Sequence, residues 1–258
     1  MSISDLTLAL EIALEAGELL QSHFGKAAVH HKGDKNLVTD ADQAAEELIF
    51  KRLTAARPGD EVIAEEGSFV KGENTRCWYV DPLDGTNNYA HGFWIFAVSL
   101  GLVLDGELRV GVVHAPQLGQ TFAARRGFGA TLNGQPLRVS RTDKLSEAML
   151  ATGFPYARRT LKHNNLAEHD RVLMEVQDVR RVGVASLDLC WTAAGRWDGY
   201  WEMSLMPWDV AAGILICREA GGTVTNLAGE PVNLLQPDVV ATNGLLHQDL
   251  LALLGGKK

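Results

Sequence analysis

The sequence predicts a mixed fold in two parts: an α+β first half built round a mostly antiparallel sheet, then an α/β second half. Three observations carry that reading. Near the N-terminus, Leu6, Leu10, Ala13, Ala16 and Leu20 fall at helical spacing, with Glu11, Glu15 and Glu18 on another face. Residues 96–104 and 107–114 are β-rich runs joined by Asp105-Gly106, a dipeptide that tolerates positive φ, so they predict a hairpin. Beyond residue 141, short apolar runs alternate with helical segments, the pattern of an α/β layer.

The remaining elements follow in chain order. A second helix is expected over residues 40–53, with Ala41, Ala44, Ala45, Leu48 and Ile49 as its apolar stripe, until Arg57-Pro58-Gly59-Asp60 breaks it. Residues 61–65 and 77–81 read as short strands ending on carboxylates. After the hairpin, residues 121–124 and 130–132 add strands, and Asn133-Gly134 turns the chain into a run at 136–140. In the second half, strands are expected over 148–152, 179–184, 199–202, 222–225 and 239–242. Helices are expected over 161–176, 186–194, 210–220 and 245–253. The seam falls at Arg141-Thr142-Asp143, dividing residues 1–140 from 141–258 within one compact unit.

Composition narrows the function classes. With 46% hydrophobic and 22% charged residues the chain is neither disordered nor fibrous. Its net charge of −8, with scattered basic residues, argues against nucleic acid as the main partner, because phosphate neutralisation needs a concentrated basic surface. Cys77, Cys190 and Cys217 are odd in number and far apart, so neither a zinc ribbon nor a disulfide framework is readable. Reduced thiols in the cytosol are the simplest account. The acids Asp5, Glu11, Glu15 and Glu18 are not expected in a signal peptide, and no apolar run approaches the ~20 residues of a membrane helix. The expectation is a soluble, cytoplasmic protein without a membrane partner.

The stretch richest in chemistry is Trp78-Tyr79-Val80-Asp81-Pro82-Leu83-Asp84-Gly85-Thr86-Asn87. An apolar strand delivers Asp81, Pro82 fixes φ, and Asp84-Gly85 forces a bend. Two carboxylates with the Leu83 carbonyl between them suit a hard divalent cation that takes oxygen ligands. The Gly85 and Thr86 amides then open a helix, where a phosphate sits well. The same residues also make a plain turn, with Asp as a helix cap. Glu65 and Glu66 end another strand before Gly67, Asp42 lies one turn into the second helix, and Asp209 precedes an apolar helical run after Pro207-Trp208. The bland alternatives are a solvated loop acid for Glu65, a helix cap for Thr39 or Asp40, and an N-cap for Asp209.

Together these segments resemble the inositol monophosphatase family of Mg²⁺-dependent, lithium-sensitive phosphatases, in the wider fructose-1,6-bisphosphatase-like group. The resemblance rests on Leu37-Val38-Thr39-Asp40-Ala41-Asp42, Ala64-Glu65-Glu66, Asp81-Pro82-Leu83-Asp84-Gly85-Thr86-Asn87 and Trp208-Asp209-Val210-Ala211-Ala212-Gly213, in family order over nearly the whole chain. Gly153-Phe154-Pro155-Tyr156 is similar to the bacterial branch. Two positions depart from the pattern: Ala64 stands where a glycine is usual, and Val184 where many members carry threonine.

The resemblance implies a layered αβαβα sandwich and a site holding two or three Mg²⁺ per subunit. Glu65, Asp81 and the Leu83 carbonyl would hold one ion, Asp81, Asp84 and Asp209 a second, and Glu65 would touch a third. Asp42 and Thr86 resemble the water-activating pair, with Glu65 beside them. Asp84, Gly85, Thr86 and Asp209 would meet the phosphate end of the substrate, and Gly183, Ala185 and Glu202 would line the alcohol pocket. Lys32, in the polar loop His31-Lys32-Gly33-Asp34-Lys35, either approaches the phosphate or stays solvated. A homodimer and a small phosphorylated polyol or sugar as substrate are likewise implied, inositol 1-phosphate first. Fructose 1,6-bisphosphate, histidinol phosphate and a nucleotide 3′-phosphate are the rival substrates, and a non-catalytic scaffold is the rival of another class. A second phosphate would meet a site crowded with acids unless Arg158, Arg159, Arg180 or Arg181 turns inward.

Overall fold

The computed structural model describes residues 3–26, 29–31, 37–73 and 75–256. The first half runs α1 (Asp5–His23), β1 (Val29–His31), β2 (Leu37–Thr39), α2 (Asp40–Ala56), β3 (Glu61–Ala64), β4 (Phe69–Val70), β5 (Arg76–Asp84), α3 (Thr86–Ala90), β6 (Ala97–Leu104), β7 (Glu107–Ala115), β8 (Gln120–Arg125), β9 (Ala130–Leu132) and β10 (Gln135–Pro136). The second half runs β11 (Met149–Thr152), α4 (Leu166–Leu173), β12 (Asp178–Arg180), α5 (Ala185–Ala193), β13 (Gly199–Glu202), α6 (Pro207–Glu219), β14 (Thr223–Thr225), β15 (Val239–Thr242) and α7 (His247–Leu254).

Two sheets organise these elements. An eight-stranded sheet has the order β10-β9-β8-β7-β6-β5-β3-β4 and is antiparallel apart from the β3–β5 pair. The second sheet, β12-β11-β13-β15-β14, is parallel round β11 and antiparallel towards β14. Helices α1 and α2 cover the outer face of the large sheet, burying Leu8, Ile12, Leu20, Ile49 and Leu53 against Trp78, Val80 and Leu100. Helices α5 and α6 fill the space between the sheets. Beyond the small sheet, Val172 of α4 joins Leu250 and Leu254 of α7 over Leu150 and Trp201. The layers therefore stack α, β, α, β, α, the architecture the resemblance implies.

Close contact of α6 with the large sheet depends on two glycines. Gly101 and Gly111 face each other across β6 and β7. A Cβ at Gly101 would stand 2.7 Å from the Ala211 Cβ, and one at Gly111 2.7 Å from the Ala212 carbonyl oxygen. Small residues on both surfaces let the helix backbone approach the strands. The N-terminus of α6 is thereby set over the end of β5, where the Ser99 hydroxyl donates to the Trp208 carbonyl at 3.3 Å.

Several elements differ from expectation. The helix expected over 161–176 is only α4, because Asn165 just before it adopts φ 69° and is committed to tertiary hydrogen bonds. Its amide nitrogen donates to the Thr152 hydroxyl at 2.8 Å and the Gly153 carbonyl at 2.6 Å, and its oxygen accepts from the Trp201 indole at 2.6 Å. The strand expected over 179–184 stops at Arg180, with Gly183 at φ 80°. The strand through Asp81 instead runs on to Asp84, with a register irregularity between the two acids where Pro82 lacks an amide donor. The buried face of α1 centres on Leu8, Ala9 and Ile12, and Leu6 and Leu10 lie at its edge. Strands β1, β2 and β4 carry no signal strong enough to be anticipated. No helix among the described residues is long and apolar enough to cross a membrane.

Candidate active site

The end of β5, the start of α5 and the start of α6 converge on one cleft of about 330 Å³. Glu65, Asp81, Leu83, Asp84, Gly85 and Thr86 line it from the large sheet, and Gly183, Ala185, Glu202 and Asp209 line it from the second half. Asp42 stands behind Thr86 and does not reach the cleft wall. Lys32 lies outside the described residues.

Local sequence sets each side chain. At the start of α2, Thr39 and Asp42 form a capping box, the Asp42 Oδ2 accepting from the Thr39 amide at 2.8 Å and its hydroxyl at 2.5 Å. The other carboxylate oxygen, Oδ1, lies 3.1 Å from the Thr86 hydroxyl, which also stands 3.0 Å from the Leu83 carbonyl. The cap and the link to Thr86 thus use opposite oxygens of one carboxylate. Asp81 turns back on its own chain, accepting from the Leu83 amide at 3.0 Å. Asp84 Oδ2 accepts from the Ser186 amide at 2.8 Å, so the first turn of α5 is tied to the end of β5. Asp209 folds back likewise, its Oδ2 accepting from the Met206 amide at 2.7 Å at the head of α6. Gly85 has φ 96°, and a Cβ there would stand 2.8 Å from Val184 Cγ2, so this bend requires glycine.

Sequence reasoning missed Glu46. Its buried carboxylate accepts from the Glu66 amide at 2.6 Å and the Ser68 amide at 2.8 Å, fixing the turn that presents Glu65. Asp188 was also missed: it is buried in α5, and its Oδ1 accepts from the Trp197 indole at 3.2 Å. The only outward signal for either is an acid within an apolar helical stretch. Tyr156 and Trp208 line the cleft as well, whereas Trp201 is fully buried in the core. Arg181 lines the cleft with Glu202, so of the four arginines considered it is the one that turns inward.

The electrostatics are those of an acidic site in which Arg181 is the one cationic side chain of the lining. Burial pushes the Asp81 carboxyl well above the usual range, and the charges of Glu65, Asp84 and Asp209 push it further. Asp209 is raised by burial and then by Asp84. Burial raises Asp42, while hydrogen bonds from Thr39 and Thr86 pull it back. Burial lifts Asp84 to about 6, against hydrogen bonds from Ser186. Burial lifts Glu202 to about 7, opposed by the Tyr200 hydroxyl, which donates to its Oε2 at 2.7 Å, and by the charge of Arg181. Among the described residues, no three of these groups close tightly round a common point. They face one cleft and act on one another through charge.

A pH dependence follows. In metal-free protein, Asp84 and Glu202 hold protons that the unfolded chain releases at 3.8 and 4.5. Their stabilising contribution is complete below the unfolded values and is lost as pH rises through the folded ones, between about pH 4 and 7. Thermal melts in EDTA should show this loss as a falling contribution to Tm, and Glu202→Gln should flatten the slope near neutrality. A slope unchanged by Glu202→Gln would contradict the assignment.

Comparison with known proteins accords with this geometry. The model described as "Inositol monophosphatase family" matches residues 4–256. An inositol-1-monophosphatase of Mesorhizobium japonicum is 41% identical over 250 residues, covering 95% of this chain and 94% of that protein. A fructose-1,6-bisphosphatase/inositol-1-monophosphatase of Thermotoga maritima is 36% identical, covering 95% of this chain and 94% of that one. The solved inositol monophosphatase of Anabaena (Nostoc) sp. PCC 7120 superposes with a TM-score of 0.90 at 40% identity, over 98% of this chain and 96% of that structure.

Proposed function

The chain belongs to the inositol monophosphatase family and is a phosphoric monoester hydrolase, and on that premise we propose that it hydrolyses myo-inositol 1-phosphate, or a related polyol phosphate, with Mg²⁺. One observation carries the reading: a single cleft gathers four carboxylates, a threonine hydroxyl paired with a buried aspartate, and a separate glutamate on the opposite wall.

The donor set fits a hard divalent cation. It is all oxygen, and Asp81 is buried among three acids that each disfavour its charge, with no cationic side chain acting on it, so a cation beside Asp81 would relieve that repulsion. In this reading Glu65, Asp81 and the Leu83 carbonyl would hold one Mg²⁺, Asp81, Asp84 and Asp209 would hold another, and Glu65 would touch a third. Bound there, the ions supply electrostatic stabilisation to the phosphoryl oxygens and the departing alkoxide.

The protein's own groups do the rest. Thr86 Oγ accepts a hydrogen bond from the attacking water while its own proton points to Asp42 Oδ1, which orients the water's lone pair for in-line attack. The Gly85 and Thr86 amides bind phosphate oxygens. Glu202, seated over Gly153 where a Cβ would overlap its carboxylate, accepts from the substrate hydroxyls. Gly183 and Ala185 complete that pocket with backbone groups.

Arg181 favours a second reading, because a guanidinium lining the cleft offers a partner for a second phosphate. Phosphate release from inositol 1-phosphate, fructose 1,6-bisphosphate, histidinol phosphate and a nucleotide 3′-phosphate, with and without Mg²⁺, tests both. Inositol 1-phosphate should have the highest kcat/KM, and Glu202→Gln should lower it by about 10- to 100-fold, the worth of a hydrogen bond to a charged acceptor. A preference for the bisphosphate that Arg181→Ala removes would establish the second reading. No release from any ester would leave the scaffold reading. We also infer a homodimer, supported by exposed Tyr156, Leu161, Leu166, Leu173 and Met174 close together in the chain. Light scattering should give twice the chain mass at micromolar concentration, and a monomer would refute this.

A further inference from the structure

The second large cavity, about 940 Å³, lies at the opposite end of β5 from the carboxylate cleft. Arg76 begins that strand and lines this cavity, and Asp81 and Asp84 close the strand at the cleft. Five to eight extended residues separate the two places, about 17 Å or more at 3.3 Å per residue. Its walls come from the start of α1, the end of α2 and the ends of β6, β7 and β8.

Arginine dominates those walls. Arg57, Arg76, Arg109, Arg125 and Arg126 all line the cavity, and Asp5 is the one acid beside them in the lining. Such a concentration is unexpected in a chain of net charge −8. Asp5 pairs with Arg57 and Arg76, both at 2.9 Å, and buried Asp60 pairs with Arg76 at 2.8 Å, so on that side two carboxylates balance two guanidiniums. The other side is not balanced. Arg109 and Arg126 share the single carboxylate of Glu107, at 3.0 and 2.8 Å. Among the described residues Arg125 has no carboxylate partner, and its guanidinium lies 3.9 Å from the centre of the Phe128 ring. The Arg109 Nε is buried with no hydrogen-bond partner.

This edge is also held in place. Glu219 accepts from the Gly127 and Gly129 amides, both at 2.8 Å, and so ties down the turn that carries Arg125, Arg126 and Phe128. Three guanidinium forks with Glu107 as their one ion-paired carboxylate among the described residues, the Glu219 carboxylate being taken up by the turn's own amides, match the planar, multidentate recognition of phosphate oxygens. An ordinary surface salt-bridge network would distribute the signs more evenly and leave no buried Nε unpaired.

We propose that this arginine-lined cavity binds an anion carrying two or more phosphate groups, at a site separate from the carboxylate cleft. Arg109, Arg125 and Arg126 provide the charge. The exposed side of the Phe128 ring is open to an aromatic base where the polyphosphate belongs to a nucleotide.

Isothermal titration of the full chain with sodium tripolyphosphate in EDTA tests this, since without cations the acidic cleft repels the probe. One-to-one binding is expected, with Kd of roughly 10–100 µM at low salt. Arg125→Ala combined with Arg126→Ala should weaken it at least about tenfold, and Arg109→Lys, which keeps the charge and removes the planar fork, should weaken it too. Both variants should keep Mg²⁺-dependent phosphate release from inositol 1-phosphate within about twofold of the parent, and Asp84→Asn should keep the tripolyphosphate affinity. ATP binding tighter than tripolyphosphate, with Phe128→Ala removing the gain, assigns a nucleotide; equal affinity assigns the phosphate chain itself. No binding at millimolar probe, undiminished binding in the double arginine variant, or loss of binding in Asp84→Asn would overturn the proposal.

Discussion

Asp81→Asn should reduce kcat/KM by about 1,000-fold or more, the scale expected when several kcal/mol of cation-mediated transition-state stabilisation is lost. The amide preserves shape and still accepts from the Leu83 amide through its oxygen, so the end of β5 should keep its form. What disappears is the negative charge at the centre of the cluster. Asp81 is the group on which Glu65, Asp84 and Asp209 all act, so in the proposed reading it would help to hold both cations. The same substitution removes a buried carboxyl whose ionisation is disfavoured by burial and by three neighbouring acids. Metal-free Asp81→Asn should therefore melt at a higher temperature than the metal-free parent near neutral pH. Added Mg²⁺ should raise the parent's Tm through preferential binding to the folded state and leave the variant nearly unmoved. A variant with more than a tenth of the parent's activity, or with an equal Mg²⁺-induced shift, would remove Asp81 from the metal site.

Thr86→Ala should lower kcat by about 100-fold or more while leaving KM and the Mg²⁺-induced Tm shift close to the parent's, the pattern of a group acting chiefly in the transition state. Thr86 is buried, and its hydroxyl reaches either Asp42 at 3.1 Å or the Leu83 carbonyl at 3.0 Å. Thr86→Ser restores the hydroxyl and should recover most of the rate. Asp42→Asn gives a different signature, because Asp42 also completes the capping box of α2. It should lose both rate and stability, the latter by about 0.5–2 kcal/mol from the weakened cap. Combined, the two substitutions should cost little more in kcat than the worse one alone, as expected of residues that work as a unit. Additive losses would mean that the pair does not act together.

These predictions rest on parts of the molecule that differ in how legible they were. The strand that delivers Asp81, the glycine bend after Asp84 and the cap at the head of α2 are local. Each follows from residues a few positions apart: Pro82 lacks a donor, Gly85 accepts φ 96°, and Thr39 with Asp42 satisfies orphan amides. The hairpin at Asp105-Gly106 is local for the same reason, and its register of Leu104 on Glu107 is that of a two-residue turn. Alternation of strands and helices beyond residue 141 likewise announced the second layer.

Other features arise only when distant segments meet. Nothing near Glu46 in the chain reveals that its carboxylate will bind the Glu66 and Ser68 amides. Nothing near Arg181 distinguishes a side chain lining a cleft from one in water, because exposed and site-facing arginines look alike in sequence. The helix expected over 161–176 was shortened by a tertiary demand on Asn165, whose three hydrogen bonds to Thr152, Gly153 and Trp201 outweigh a modest helical preference. By itself, then, the sequence determined the fold class, the order of the acidic segments and the local turns that expose them, because caps, turns and periodicity act over a few residues. Only the tertiary structure decided that Asp209 stands across the cleft from Asp81, since that requires α6 to lie close on the large sheet. The close approach comes from Gly101 and Gly111 facing Ala211 and Ala212, a match of small surfaces from strands and a helix about a hundred residues apart, which no local propensity encodes.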